Sequence, residues 1–135
     1  MADPTFYRSA QAAAAAPPER LAYVATLNTP GPDGEARPDA IVVLDTDPQS
    51  PSYGTIVGRV DMPHTGDELH HFGWNACSAC LCHAESNGHA GHDHDSAERR
   101  YLIVPGLRSS RIYIIDTKPD PRNPKIVKTI EPDEL

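Results

Sequence analysis

From Leu21 onward the apolar residues arrive in short β-branched bursts, each bounded by Pro, Gly, Asn or Asp. That pattern predicts brief strands joined by tight turns. Six strands follow from it: Ala22 to Leu27, Ala40 to Asp45, Thr55 to Asp61, Tyr101 to Val104, Arg111 to Asp116 and Lys125 to Ile130. Ahead of them the run Ala12 to Ala16 predicts a short helix, capped by Ser9 and stopped by Pro17 and Pro18. The stretch NTPGPDGEARPD between Leu27 and Ala40 predicts a loop.

The pattern also repeats. IVVLDTDP, starting at Ile41, returns as IYIIDTKP, starting at Ile112, and TIVGRVDMP from Thr55 returns as KIVKTIEP from Lys125. A strand ending in Asp, a Pro-containing turn and a second strand form the outer hairpin of a propeller blade, where neighbouring blades bury each other's faces. The expected class is therefore all-β, with residues 21–135 forming about two blades of a larger β-propeller. Residues 1–20 form an extension with the short helix, and residues 63–100 a loop rich in His and Cys. A propeller needs about four to eight blades, so two cannot close a ring. The reading is an N-terminal portion of a longer protein, or a truncated product, since the chain stops at Glu131 to Leu135 directly after a strand. Such a piece exposes strand edges, which predicts self-association or a complementing propeller chain. Asp45 and Asp116 end equivalent strands and read as turn residues accepting backbone N–H bonds, since repetition points to structure.

Composition changes this picture little. The 135 residues hold fourteen Pro but two Phe and one Trp, which agrees with many short segments. The formal net charge is −7 and the basic residues are scattered, which argues against a nucleic acid partner and lends no support to binding an anionic membrane. The first twenty residues lack the basic start and apolar core of a secretory signal, and no run reaches transmembrane length. A soluble cytoplasmic protein is expected. Cys77, Cys80 and Cys82 fall within six positions, which suits metal or redox use in a reducing compartment better than a dispersed disulfide framework.

Chemistry concentrates in GDELHHFGWNACSAC, residues 66–80. His70, His71, Cys77 and Cys80 are borderline-to-soft ligands suited to copper, zinc or a selenium or sulfur species, and Asp67 and Glu68 stand where they could orient imidazoles from behind. Adjacent residues of an extended strand point to opposite faces, so at most one of His70 and His71 is expected to face a shared site; the alternative is a pair of packing histidines. Cys77 and Cys80 have CxxC spacing, extended by Cys82 and His83 to CxxCxCH. Leu81 stands where haem attachment needs His, and a thioredoxin-like pair would need βαβ surroundings. A metal, selenium or redox site and a structural thiol or disulfide pair both remain open. Trp74 reads as a packing residue before a substrate platform. His89, His92 and His94, in AESNGHAGHDHDS, form a weaker accessory metal loop. With the CxxCxCH run they would suit a small metal-binding or buffering protein; a further alternative is an inactive structural propeller fragment.

These stretches, followed by RRYLIVPGLRSSRIYIIDTKPDPRNPKIVKTIEP and preceded by PPERLAYVATL and DAIVVLDTDPQSPSYGTIVGRVDMP, closely resemble the N-terminal part of the selenium-binding protein family, which includes the methanethiol oxidases. The resemblance covers nearly the whole chain. It implies a β-propeller, selenium binding and copper-dependent oxidation of a small thiol, methanethiol, to formaldehyde, hydrogen sulfide and hydrogen peroxide. It also implies that His70 and His71 of ELHHxGW and Cys77 and Cys80 of WNxCSxC lie at the site. Gly54 stands where some animal relatives carry a selenium-linked cysteine, and the later blades, which should supply further histidines, are not in this sequence.

Overall fold

The computed structural model describes residues 10–28, 32–75 and 99–135. It divides into two compact units, Met1–Pro17 with Trp74–Arg100, and Pro18–Gly73 with Tyr101–Leu135.

In the smaller unit the alanine run forms a short exposed helix, α1 (Ala10–Ala15), which ends before Pro17. Farther along in this unit, the Arg99 guanidinium lies over the Trp74 ring, 5.0 Å from its centroid, and the Arg100 N–H donates to Asn75 Oδ1 at 3.1 Å. A guanidinium over an indole face is a favourable cation–π arrangement.

The larger unit is antiparallel β. Its first sheet has the order β1-β2-β3, from Leu21–Thr26, Pro38–Asp45 and Ile56–Thr65. The second has the order β4-β5-β6-β7, beginning with the two-residue Gly73–Trp74, where the larger unit breaks off, and continuing with Tyr101–Pro105, Ile112–Asp116 and Lys125–Ile130. The six expected strands are present. β3 runs four residues farther than the sequence pattern indicates, through Pro63 to Thr65, because β2 starts early enough for Pro38 to pair with Thr65. β4 was not expected, and neither was a short 3₁₀ turn at Pro132–Glu134, which follows β7 directly. In that turn the Glu131 N–H donates to Glu134 Oε2 at 2.8 Å, closing a capping box. Among the described residues no helix is long and apolar enough to cross a membrane.

The sequence repeat is a structural repeat. Ile41, Val43 and Leu44 of β2 occupy the places of Ile112, Ile114 and Ile115 of β6, and each central strand pairs with the strand after it in the same register. Even the irregularity recurs: the first ladder jumps between Val43 and Leu44, passing over Val57, and the second between Ile114 and Ile115, passing over Val127. The repeat also takes in a third strand that sequence identity barely shows, since β1 pairs with β2 as β5 pairs with β6, with Val24 and Val104 at equivalent places.

The core lies on the central strands. Ile41 and Val43 of β2 and Tyr113 and Ile115 of β6 are fully buried, each such side chain contributing about 1.5–3 kcal/mol relative to exposure. The two sheets meet through the turn between β6 and β7. Its Pro121 carbonyl accepts the Tyr23 hydroxyl at 2.9 Å, and Arg122 Nη2 donates to Asp45 Oδ2 at 3.0 Å. The Arg122 carbonyl comes so close to Gly58 that a Cβ there would meet it at 1.7 Å, so only glycine fits.

Asp45 and Asp116 are turn residues in the expected sense. Asp45 Oδ1 accepts the Asp47 N–H at 3.0 Å, and Asp116 Oδ1 accepts the Lys118 N–H at 3.1 Å. Asp45 does more, since its Oδ2 also accepts the hydroxyls of Ser52 at 2.6 Å and Ser50 at 2.7 Å. The Ser52 and then the Ser50 hydrogen bond hold its carboxyl well below the usual carboxylate range, against burial, with the Asp47 N–H and Arg122 adding to the effect.

Candidate functional site

The chain leaves β3 at Thr65 and within six residues delivers both adjacent histidines, so residues 67–71 are the segment to explain. The segment is not extended. Glu68 and His71 both take left-handed backbone conformations, with φ of 52° and 48°, which non-glycine residues adopt only when their surroundings hold them there.

Backbone pairing supplies part of that hold. Leu69 bridges Gly106, the His70 N–H donates to the Pro105 carbonyl at 2.9 Å, and the Leu107 and Arg108 N–H groups donate to the carbonyls of Glu68 at 2.9 Å and Asp67 at 3.0 Å. The approach requires glycine at 106, where a Cβ would lie 2.5 Å from Ser109 Oγ and 3.1 Å from the Asp67 carbonyl oxygen.

Side chains supply the rest. Asp67 is fully buried; its Oδ2 accepts the Tyr113 hydroxyl at 2.6 Å and its Oδ1 accepts Arg111 Nη1 at 3.2 Å. Arg111 Nε donates to Glu131 Oε2 at 2.9 Å, and His64 Nε2 lies 3.6 Å from Glu131 Oε1. Burial, and then the hydrogen bond to Asp67, push the Tyr113 hydroxyl above its usual range, so it remains a neutral donor. The Glu131 hydrogen bond, with Asp67 adding to it, stabilises the Arg111 cation. On the other side Asp39, 4% exposed, accepts the Leu69 N–H at 3.1 Å on Oδ2 and the Asn28 N–H at 2.8 Å on Oδ1. Asn28 Nδ2 bonds the Pro38 carbonyl, completing a clasp between the end of β1, the start of β2 and the histidine segment.

This arrangement corrects two expectations. His70 and His71 do not diverge. The left-handed turn at His71 breaks the alternation of an extended strand, and the two exposed rings converge with Nδ1 atoms 2.5 Å apart and centroids 4.1 Å apart. Nor do Asp67 and Glu68 orient the imidazoles. The Asp67 carboxylate is taken up by Tyr113 and Arg111, and Glu68 pairs with Arg108.

Two ring nitrogens bound cis to one ion at about 2.0 Å each stand about 2.8 Å apart, so the pair matches two positions of one metal after a small opening. Imidazole is a fitting donor for copper, and both histidines are exposed. Among the described residues no group of three His, Cys, Asp or Glu could hold a metal, so the pair by itself would fill only part of a ligand set. Cys77, Cys80, Cys82, His83, His89, His92 and His94 lie outside the described residues.

Asp39, Arg111 and Tyr113 do not stand out in the sequence. Their signal is a break in the repeat: Tyr113 stands by register where the first repeat has Val42, and counting back along the sequence from the aligned strands Arg111 falls where the first has Ala40 and Asp39 where the second has Ser110. All three grip the histidine segment.

Comparison with known proteins gives the same family throughout. The 56 kDa selenium-binding protein family (SBP56) matches residues 1–135. Selenium-binding protein 2 of Arabidopsis thaliana is 45% identical over 129 residues, covering 96% of this chain and 24% of that protein. A methanethiol oxidase of Xenopus laevis is 40% identical over 129 residues, covering 96% and 25%. Among solved structures, the X-ray structure of a hypothetical selenium-binding protein from Sulfolobus tokodaii superposes with a TM-score of 0.83 at 58% identity, covering 98% of this chain and 27% of that one. The chain thus spans about a quarter of the length of the relatives it matches.

Proposed function

The chain belongs to the 56 kDa selenium-binding protein family, and from that premise we propose that it is the N-terminal part of a β-propeller methanethiol oxidase, carrying two of the histidines of a copper site. The carrying observation is the convergence of His70 and His71, with Nδ1 atoms 2.5 Å apart on a segment held in an otherwise unfavourable backbone. The repeat of three-stranded sheets supports the propeller. Relatives named methanethiol oxidase, 40% identical over nearly the whole chain, support the activity.

The reaction joins one methanethiol, one oxygen and one water to give formaldehyde, hydrogen sulfide and hydrogen peroxide. Copper, when bound, supplies a soft acceptor for the thiolate and one-electron exchange with oxygen. The contribution of this chain would be to hold two imidazoles with their Nδ1 atoms already side by side. Tyr113 and Arg111 take no direct part; they fix Asp67 and through it the approach to the pair. Selenium binding, on this proposal, falls to the thiols of Cys77, Cys80 and Cys82.

The test joins residues 1–135 to the remaining three quarters of the Xenopus laevis methanethiol oxidase and follows methanethiol loss, peroxide release and copper content together. The chimera is expected to turn over and the 135-residue chain alone is not. His70→Ala and His71→Ala are expected to lower copper content and abolish turnover in the chimera. Full turnover with both histidines replaced would overturn the proposal.

A further inference from the structure

Asp39 is the second residue of β2, 28 residues or more in sequence from the histidine segment, and it contributes no atom to the ring pair itself. We infer that Asp39 is a positioning residue for the metal pair, setting the convergence of His70 and His71 through the backbone of Leu69. The inference rests on the copper reading above.

Three observations carry it. First, its two oxygens divide their bonds between structure and site, Oδ1 to the Asn28 N–H at 2.8 Å and Oδ2 to the Leu69 N–H at 3.1 Å. Asn28 is fastened in turn to the Pro38 carbonyl, so the carboxylate is anchored on the sheet side and reaches to the segment from there. Second, Leu69 is the residue between the two left-handed ones that shape the segment on its N-terminal side, Glu68, and its C-terminal side, His71, with only His70 intervening. Fixing its N–H in a buried place sets the direction from which the chain enters the pair. Third, counting back along the sequence from the aligned strands, the counterpart of Asp39 is Ser110, which precedes β6 and has a φ of 60°, so the repeat itself does not carry a carboxylate there. A bond that positions ligands without touching the metal commonly governs affinity by about ten- to a hundredfold.

The experiment uses the 135-residue chain with Cys77, Cys80 and Cys82 replaced by serine and His83, His89, His92 and His94 by glutamine, which leaves His64, His70 and His71. Copper(II) is titrated with the visible band and the electron paramagnetic resonance signal recorded, and circular dichroism confirms that each variant is folded at the titration temperature. Asp39→Asn keeps the size of the side chain but can accept only one of the two N–H groups through its oxygen. It is expected to weaken copper binding about tenfold or more and to shift the band and the copper hyperfine splitting. In the His71→Ala background the same substitution is expected to have no further effect, because there is no longer a pair to align. A general loss of stability would lower affinity in both backgrounds.

Asp39→Asn binding copper with unchanged affinity and spectrum, or weakening it equally with and without His71, overturns the inference while leaving the copper reading intact. If the starting chain binds copper no more tightly than its His70→Ala/His71→Ala double variant, the copper reading has failed and this inference falls with it. Should Asp39→Asn not fold, Asn28→Pro decides: it keeps the carboxylate and removes the N–H that anchors Oδ1. About threefold weaker binding is expected from it, and unchanged binding overturns the inference.

Discussion

The two meanders β1-β2-β3 and β5-β6-β7 share pairing, register and even the position of the bulge, but they treat some of their charged residues differently. In the first, Asp45 closes a turn and at the same time gathers Ser50, Ser52 and Arg122; in the second, the equivalent Asp116 closes its turn on Lys118. The first repeat receives the other's turn at Gly58, where the second has Lys128. The second in turn places Arg111 and Tyr113, in the positions of Ala40 and Val42, against Asp67. Positions alike in the two repeats build sheet. Among the positions that differ, Gly58 lets the two repeats meet, and Arg111 and Tyr113 hold the segment bearing His70 and His71.

That division can be broken most forcefully at Asp67. Asp67→Ala leaves a buried tyrosine hydroxyl without its acceptor and Arg111 with Glu131 alone, and is expected to cost about 3 kcal/mol in urea unfolding. A loss under 1 kcal/mol would mean that the cluster is incidental. Next comes the turn acid Asp45. Asp45→Ala is expected to lower the melting temperature on the order of 10 °C; a shift under about 2 °C would mean that its bonds to Ser50, Ser52 and Arg122 contribute little. Gly58→Ala forces a Cβ against the Arg122 carbonyl and is expected to cost about 2 kcal/mol, whereas Lys128→Ala, at the matching place, stays within about 0.5 kcal/mol. Tyr113→Phe removes one donor from Asp67 and is expected to cost about 1 kcal/mol.

The comparison also predicts a pH dependence. Because the Asp45 carboxyl is held below its usual range in the folded chain, the unfolded chain takes up that proton more readily. The resulting stability is fully present above about pH 4, the ordinary carboxylate value, and is lost as pH falls below it toward the folded value. Asp45→Asn is expected to flatten this acid limb, measured by urea midpoints from pH 2 to 6. An unchanged slope would assign the limb to other carboxylates.

Most of the sheet was legible in the chain because β-branched bursts and turn residues act locally, and the Asp that closes each turn bonds an N–H only two residues on. The third strand of each repeat was legible as a strand but not as a repeat, since packing on β1 and β5 asks for apolar character and not for particular residues. His70 and His71 were visible by type. Their convergence was not, because it depends on two left-handed residues imposed by partners distant in sequence, such as Asp39, 30 residues before Leu69, and Tyr113, 46 residues after Asp67. Those partners are an ordinary Asp and Tyr until the repeats are laid side by side.

The central claim is that the two imidazoles act as one unit toward copper. The direct measurement is nuclear magnetic resonance of the chain with labelled histidine side chains and its three cysteines replaced by serine, titrated with copper(I). The account predicts that the ring signals of His70 and His71 move together and reach their end point at one equivalent. Movement of only one of the two rings, or of neither, would contradict it.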